Sequence, residues 1–419
     1  MMEFENVIDK EWRKKELSLK EVIAKYSEVS PYIVIKTDVQ RRGVRYSEKA
    51  LELVDPKIHQ VSVKTMFSNK ESNEPVSLLL NDGTSIISSF TSSLLSKRDP
   101  YLVDVVDGKI VLTDAGEVVT EVSYWEKPDF YEKYTSSGVP MSEIASARPQ
   151  RIDINPNGHC EFWDKPGNGC KYCTIGTTYH KNKDKPARLR VEDIVETVRE
   201  ALKQPGRFTA FNMSAGTILS GSELLEDELE MYITILQEVG KLFHGKVFPS
   251  QITATAFSPK QLKRLREETR LWLFTTDIEV FDEDLFGWIC PGKAEFVGYK
   301  EWKQRIFEAA EIFGKGHVNA GIVSGVEMAK PKGFIHEDEA VARALEGAEE
   351  FAEHGVFMKH DIWHVAPGTI FFKQTPPSLE YYIKLTEGFD KIARRYELLT
   401  YADGYRWCGN HPNTDLSRI

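Results

Sequence analysis

The residues most able to do chemistry are three cysteines gathered within 14 positions of a 419-residue chain. Asn157-Gly158-His159-Cys160 is followed by nine residues and then by Cys170-Lys171-Tyr172-Cys173. The Cys-x-x-Cys places two thiolates on one tight turn, and the loop Pro166-Gly167-Asn168-Gly169 is flexible enough to bring the third beside them. Three thiolates with no obvious fourth suit a 4Fe–4S cluster with one iron left open, because an open metal position is where a substrate can bind. Zinc is an alternative, since His159 or His180 could complete a set of four ligands, and simple packing cysteines are another. Cys290, in Cys290-Pro291-Gly292-Lys293, and Cys408, in Trp407-Cys408-Gly409-Asn410-His411, are too few for a second all-cysteine cluster. Each is either a catalytic candidate or a small buried hydrophobe.

The elements that must position these residues change character near residue 150. Residues 1–125 read as a leading helix (1–30) and then a β-rich domain, with strands at Tyr32–Ile35, Val61–Val63, Val76–Leu80, Ser85–Phe90 and Lys109–Leu112. Asn81-Asp82-Gly83 and Val106-Asp107-Gly108 supply hairpin turns. Residues 126–149 are polar and irregular, as a linker would be. From Arg151 strands and helices alternate, with strands expected at Arg151–Ile154, Phe208–Asn212, Phe248–Ala256, Leu271–Thr275, Val318–Ser324 and Phe357–His364. Val191, Ile194, Val195, Val198 and Leu202 give one apolar helical face, and Leu229, Ile233, Leu236 and Val239 another. Ser258-Pro259-Lys260-Gln261 opens a third helix with a capping box. Trp302, Ile306, Ala309 and Phe313 mark a fourth helix, and two more are expected at Glu337–Glu353 and Ser378–Glu397. Six βα units imply a parallel sheet, as a partial barrel or a doubly wound sheet, with ligands at the C-terminal strand ends. His360, Asp361 and His364 alternate along the last strand, so Asp361 and His364 are expected to face opposite sides.

Composition narrows the function. Hydrophobic residues make up 41% and charged residues 28%, ordinary for a soluble protein, and no apolar run approaches the ~20 residues that span a bilayer. The charged start Met1-Met2-Glu3-Phe4-Glu5 is unlike a secretory signal, and five cysteines, an odd number, do not suggest a disulfide framework, so a cytoplasmic protein is expected. A net charge of −10 argues against a large nucleic-acid footprint and favours a small-molecule or peptide substrate.

The cysteine segment followed by the βα pattern resembles the radical S-adenosylmethionine superfamily. The nine-and-two spacing is similar to that of a minority of members, including the Elongator-type acetyltransferases. The resemblance covers about residues 150–375 and implies an α/β fold: a partial (β/α)6 barrel preceded by the β-rich domain and followed, over 376–419, by a C-terminal helix and tail. It implies Cys160, Cys170 and Cys173 as ligands of a 4Fe–4S cluster, and Tyr172 as the aromatic near the adenine of S-adenosylmethionine. Ser214-Ala215-Gly216-Thr217, after the second strand, is similar to the Gly-rich stretch that meets the methionine amine; the Glu of the commoner form is missing. Glu279 is the candidate for the ribose, with Asp277 in reserve. Gly321, Val323 and Gly325 on the fifth strand and Ala366 after the sixth are the adenine-side candidates.

The implied reaction begins with one-electron reduction of the cluster and cleavage of S-adenosylmethionine to methionine and a 5′-deoxyadenosyl radical, which takes hydrogen from a substrate carbon. A reductant such as flavodoxin or ferredoxin is the implied protein partner. The resemblance does not choose among the reactions that start from this radical. An RNA substrate, suggested by the Elongator-like spacing, and a zinc-stabilised binding protein without catalysis are the rival readings.

Overall fold

The computed structural model describes residues 11–62, 72–87, 98–148, 150–181, 188–366, 368–399 and 409–416. Cys408 and His180's side chain lie outside them, as do residues 1–10 of the expected first helix.

The N-terminal part holds helices α1 (Leu19–Lys25) and α2 (Pro31–Arg42) beside a six-stranded sheet. Its strands are β1 (Val44–Tyr46), β2 (Ser77–Leu80), β3 (Ser85–Ile87), β4 (Tyr101–Val106), β5 (Lys109–Asp114) and β6 (Glu117–Tyr124), in the order β1-β4-β5-β6-β2-β3. The expected strand Tyr32–Ile35 is instead the first turn of α2, which Pro31 opens at the first helical position. The reason is double-sided burial. Ile35 and Val39 pack on the sheet with Leu78, Tyr101 and Leu112, while Ile33 and Val34 pack on Leu379 and Ile383 of the C-terminal part. A helix apolar on both sides shows no clean stripe and reads like a buried strand.

The stretch expected as a linker also carries a strand. Ala145–Arg148 (β7) pairs antiparallel with Arg151–Ile154 (β8). Beyond β8 the sheet is parallel: β9 (Ala210–Ser214), β10 (Ser250–Thr253), β11 (Leu273–Thr275), β12 (Val318–Ser324) and β13 (Phe357–Ile362). The crossovers carry helices α3 (Val191–Ala201), α4 (Glu226–Gly240), α5 (Pro259–Glu268), α6 (Glu283–Ile289), α7 (Pro291–Phe296), α8 (Tyr299–Phe313) and α9 (Glu337–Glu353). Helices α10 (Leu379–Arg395) and α11 (Pro412–Asp415) follow β13. Spatial order follows chain order from β7 to β13 without reversal. A doubly wound sheet reverses; in this order, right-handed crossovers put every helix on one face.

The two faces differ in chemistry. Ile154, Met213, Ile252, Phe274 and Val318 are register partners in one row and join the core beneath the helices. The adjacent row, Asp153, Asn212 and Gln251, lies on the opposite face, with Arg151 donating to Gln251 at 3.1 Å and Gln251 to Thr275 at 3.0 Å. Asn212 donates to Asp153, which also pairs with Arg148 at 3.0 Å. This buried polar face is turned away from the helices.

Side chains from elsewhere reach both outer strands. On β13, His360 N donates to Asn413 Oδ1 at 3.2 Å, and Asn413 Nδ2 donates to the Met358 carbonyl at 3.0 Å. On β7, Ala147 N donates to the Tyr131 hydroxyl at 3.2 Å, and Gln60 Nε2 donates to the Ala147 carbonyl at 3.1 Å.

Candidate functional site

The cysteine loop leaves the C-terminal end of β8. Cys160 stands at the start of a 3-10 turn (Glu161–Trp163), and Cys170 and Cys173 flank a tight turn closed by Cys173 N donating to the Cys170 carbonyl at 3.0 Å. Hydrogen-bond donors are directed at the sulfurs. Ile175 N lies 3.4 Å from Cys173 Sγ, and the N–H groups of Phe162 and Thr217 favour a thiolate at Cys160. Burial dominates nonetheless, pushing the Cys160 thiol up to about 11 and Cys173 further still. Cys170 is held low, chiefly by a hydrogen bond with the Cys290 thiol. A metal that takes up the sulfurs as thiolates replaces the protons that burial favours. Among the described residues, no group of three or more His, Cys, Asp or Glu side chains stands close enough to hold a single metal ion.

The second strand's turn is clamped onto this loop. Gly216 N donates to the Asn157 carbonyl at 2.9 Å, Asn157 Nδ2 donates to the carbonyls of Gly216 (2.9 Å) and His159 (2.6 Å), and Glu161 N donates to the Thr217 carbonyl at 2.9 Å. A Cβ on Gly216 would stand 2.0 Å from the His159 carbonyl oxygen. Gly216 is therefore required for loop and turn to meet at all. Ser214 Oγ donates to Asn155 at 2.9 Å, Ala215 is half-buried, and Thr217 shares a 2.9 Å hydrogen bond with Thr255.

Beneath that turn lies a carboxylate that sequence reasoning missed. Glu228 of α4 is 1% exposed and accepts from Ile218 N (3.0 Å), Thr255 N (2.8 Å) and Thr255 Oγ1 (2.9 Å). Burial without a countercharge raises it from 4.5 to about 7. Because the folded-state value lies above the unfolded one, its contribution to stability is fully present below pH 4.5 and is lost as pH rises through about 7. The loss is on the order of 3 kcal/mol. Glu228→Gln should flatten that decline, seen in urea unfolding as a wild-type-minus-variant difference that falls between pH 4.5 and pH 8. A constant difference would mean Glu228 does not titrate there.

On the other side of the cysteine loop, the α6–α7 corner docks through Lys171 N to the Ile289 carbonyl (2.9 Å) and Gly292 N to the Asn168 carbonyl (2.9 Å). This brings buried Cys290 to 4.0 Å from the Tyr172 hydroxyl and beside Cys170. Glu279, in a left-handed conformation (φ 71°), accepts from Lys293 Nζ and the Tyr172 hydroxyl. Lys293, also missed, thus engages the carboxylate expected at the ribose. Asp277, held in reserve from the sequence, has one carboxylate oxygen, Oδ1, without a hydrogen-bond partner among the described residues, 3.5 Å from Lys359 Nζ.

The adenine-side candidates fall on the ends of β12 and β13. A Cβ on Gly321 would come within 2.6 Å of Asp277 Oδ1 and 3.2 Å of Lys359 Cε, so this glycine makes room for that pair. Val323 is half-buried beside Asp361 on the polar face. Gly325 has φ +103° and abuts Pro377 and Tyr382, while the Ala366 carbonyl accepts from Thr369. The strand ends at Ile362, so the alternation expected to reach His364 stops two residues short of it. His360 is an enclosed core imidazole between Ser324 and Thr386, kept neutral by burial, which lowers it to about 3.

No family model matches the chain. A curated relative, the bacteriochlorophyllide c C-7(1)-hydroxylase of Chlorobaculum limnaeum, is 22% identical over 324 residues, covering 74% of this chain and 76% of that protein. A solved structure, a radical SAM methyltransferase from Sphaerobacter thermophilus, aligns over 91% of this chain and 92% of its own at 13% identity, with a TM-score of 0.39. Among the described residues no helix is long and apolar enough to cross a membrane.

Proposed function

We propose that the chain is a radical S-adenosylmethionine enzyme that activates a carbon–hydrogen bond of a small molecule, with Cys160, Cys170 and Cys173 holding the 4Fe–4S cluster. The observation that carries this reading is the three-thiol loop at the end of the first parallel strand, with donors aimed at its sulfurs and Gly216 packed onto its backbone. Its architecture is read as a partial (β/α)6 barrel behind a β-rich N-terminal domain.

The cluster and S-adenosylmethionine, when bound, supply reductive cleavage of the sulfonium and a carbon radical able to take hydrogen from an unactivated carbon. The chain's own residues position and enclose. The Ser214–Thr217 turn offers small side chains and backbone groups for the methionine amine. Asp277, with its unsatisfied oxygen, is a better placed acceptor for ribose hydroxyls than Glu279, which is engaged by Lys293. The polar face around Asp153, Asn212 and Asn319 is read as the substrate side. Asn212 Oδ1 and Asn319 Oδ1 have no hydrogen-bond partner among the described residues, and a polar substrate would satisfy them. The curated relative, a hydroxylase of a chlorophyllide, acts on a small molecule at carbon, the same class of chemistry.

The test is anaerobic reconstitution with iron and sulfide, then dithionite and S-adenosylmethionine, with 5′-deoxyadenosine measured. Formation by the wild type, and at least a hundredfold less by the Cys160→Ala, Cys170→Ala, Cys173→Ala variant, is expected. A colourless protein that binds one zinc ion and makes no 5′-deoxyadenosine would defeat the reading.

A further inference from the structure

Cys290 is fully buried, and its thiol has polar neighbours. Its peptide groups are engaged by its own helices: its N–H donates to the Phe286 carbonyl at 2.8 Å, and its carbonyl accepts from Ala294 N at 3.1 Å. The thiol is turned to the cysteine loop, donating toward the Tyr172 hydroxyl at 4.0 Å and lying within hydrogen-bonding reach of Cys170. This placement is fixed from both sides. Lys171 N donates to the Ile289 carbonyl and Gly292 N to the Asn168 carbonyl, each at 2.9 Å, so residues on either side of Cys290 are tied to the loop. A Cβ on Gly292 would stand 2.8 Å from both the Asn168 carbonyl oxygen and the Phe162 ring, so glycine is what lets the corner sit this close.

A buried cation joins the thiol. Lys293 donates to the Asp277 carbonyl at 3.0 Å, pairs with Glu279 and lies 4.5 Å from the centre of the Trp302 ring. Glu279 in turn accepts from the Tyr172 hydroxyl. Cys290, Tyr172, Glu279 and Lys293 thus form one enclosed network, and it serves one sulfur in particular. Cys173 Sγ receives Ile175 N at 3.4 Å, and Cys160 receives the N–H groups of Phe162 and Thr217 and the Thr217 hydroxyl. Cys170 instead faces side chains of other segments: the Cys290 thiol and the Lys293 charge, with Glu279 opposing Lys293 more weakly.

We propose that Cys290 is a positioning residue for the cluster: its S–H donates to the Cys170 sulfur and, together with the Lys293 ammonium, makes the reduced cluster easier to form. The proposal rests on the cluster reading above. Reduction adds one negative charge, which the coordinating sulfurs share. A hydrogen-bond donor and a cation at one sulfur favour the more negative state, and hydrogen bonds to the sulfurs are among the levers that set such potentials. Both act more strongly in a buried site than in water. Cys290 acts through Cys170, so its effect belongs in the potential and not in the number of iron atoms held.

An anaerobic redox titration of the reconstituted enzyme, without S-adenosylmethionine, tests it, with the reduced cluster followed by electron paramagnetic resonance and iron content measured alongside. At the wild-type midpoint, Cys290→Ala should hold a ratio of reduced to oxidised cluster about tenfold lower, which is about 59 mV for a one-electron couple. Cys290→Ser, whose hydroxyl can still donate, should recover most of that ratio. All three proteins should hold the same iron. If the alanine cavity costs iron, Cys290→Val replaces it as a donor-free side chain that fills the space, and it should show the same fall. A donor-free variant with full iron and the wild-type midpoint overturns the proposal. So does a serine variant as low as alanine, because the donor would then not be the cause. Loss of iron in alanine and valine alike would make Cys290 a residue that holds the loop or the metal, and also overturns it. Failure of the wild type to form any cluster is visible as a lack of colour before the titration; that result would defeat the cysteine assignment itself.

Discussion

Gly216→Val is expected to yield a protein with several-fold less iron after reconstitution and a stability lowered by about 2–4 kcal/mol. The new Cβ would lie 2.0 Å from the His159 carbonyl oxygen and 2.8 Å from Cys160 N. Both are backbone atoms, so no side chain can swing away. The turn is held by Asn157 from both sides, and relief of the clash must therefore shift Cys160 itself. Even Gly216→Ala should show the effect. Gly287→Ala is the control. Its added methyl meets nothing within 4 Å inside helix α6, and a glycine-to-alanine change there should stabilise by up to about 1 kcal/mol. Iron content alongside thermal unfolding checks both; a Gly216→Val protein with full iron and unchanged melting would show that loop and turn do not need this contact.

The second large effect is expected at Asp38→Ala, far from the cysteines. Asp38 is buried and accepts from Arg41, from Arg42 at 3.0 Å and from the Tyr101 hydroxyl at 2.5 Å. Arg42 also binds Asp114, and Arg41 binds Glu16 and reaches toward the Pro377 carbonyl, so one carboxylate anchors the N-terminal sheet to the segment before α10. Its removal leaves two buried guanidinium groups short of countercharge, which costs about 3–5 kcal/mol. Burial alone would raise this carboxyl, but Arg41 and Arg42 outweigh it and hold it well below the usual range. Its contribution is thus present above the ordinary carboxylate value and is lost as pH falls through the lowered one, the reverse of Glu228. Urea midpoints at pH 7 check the prediction, and a midpoint within experimental scatter of wild type would refute it.

The sequence made some elements plain because their signals are local. The capping box at Ser258 forms, with Ser258 N donating to Gln261 Oε1 at 3.0 Å, and Val318–Ser324 and Glu337–Glu353 have the bounds that their patterns suggest. Helix α2 was illegible because its two apolar sides serve two different partners. Strand β7 was hidden among polar residues, since an edge strand needs few apolar side chains. At the site, the cysteine spacing could be read directly, but its supports could not. Gly216 facing His159, Lys293 paired with Glu279, and Glu228 under the turn are all meetings of distant segments.

The side chains that bond to β7 and β13 bear on how this protein behaves in a crowded solution. An open sheet ends in two rows of unpaired peptide groups, and such rows invite a strand from another molecule. Here Tyr131 and Gln60 occupy both peptide groups of Ala147 at one end, and Asn413 takes the groups of Met358 and His360 at the other. Each acts as a stopper that mimics a neighbouring strand for one residue and then turns away. The sheet can thus stay unclosed without becoming a template for self-association.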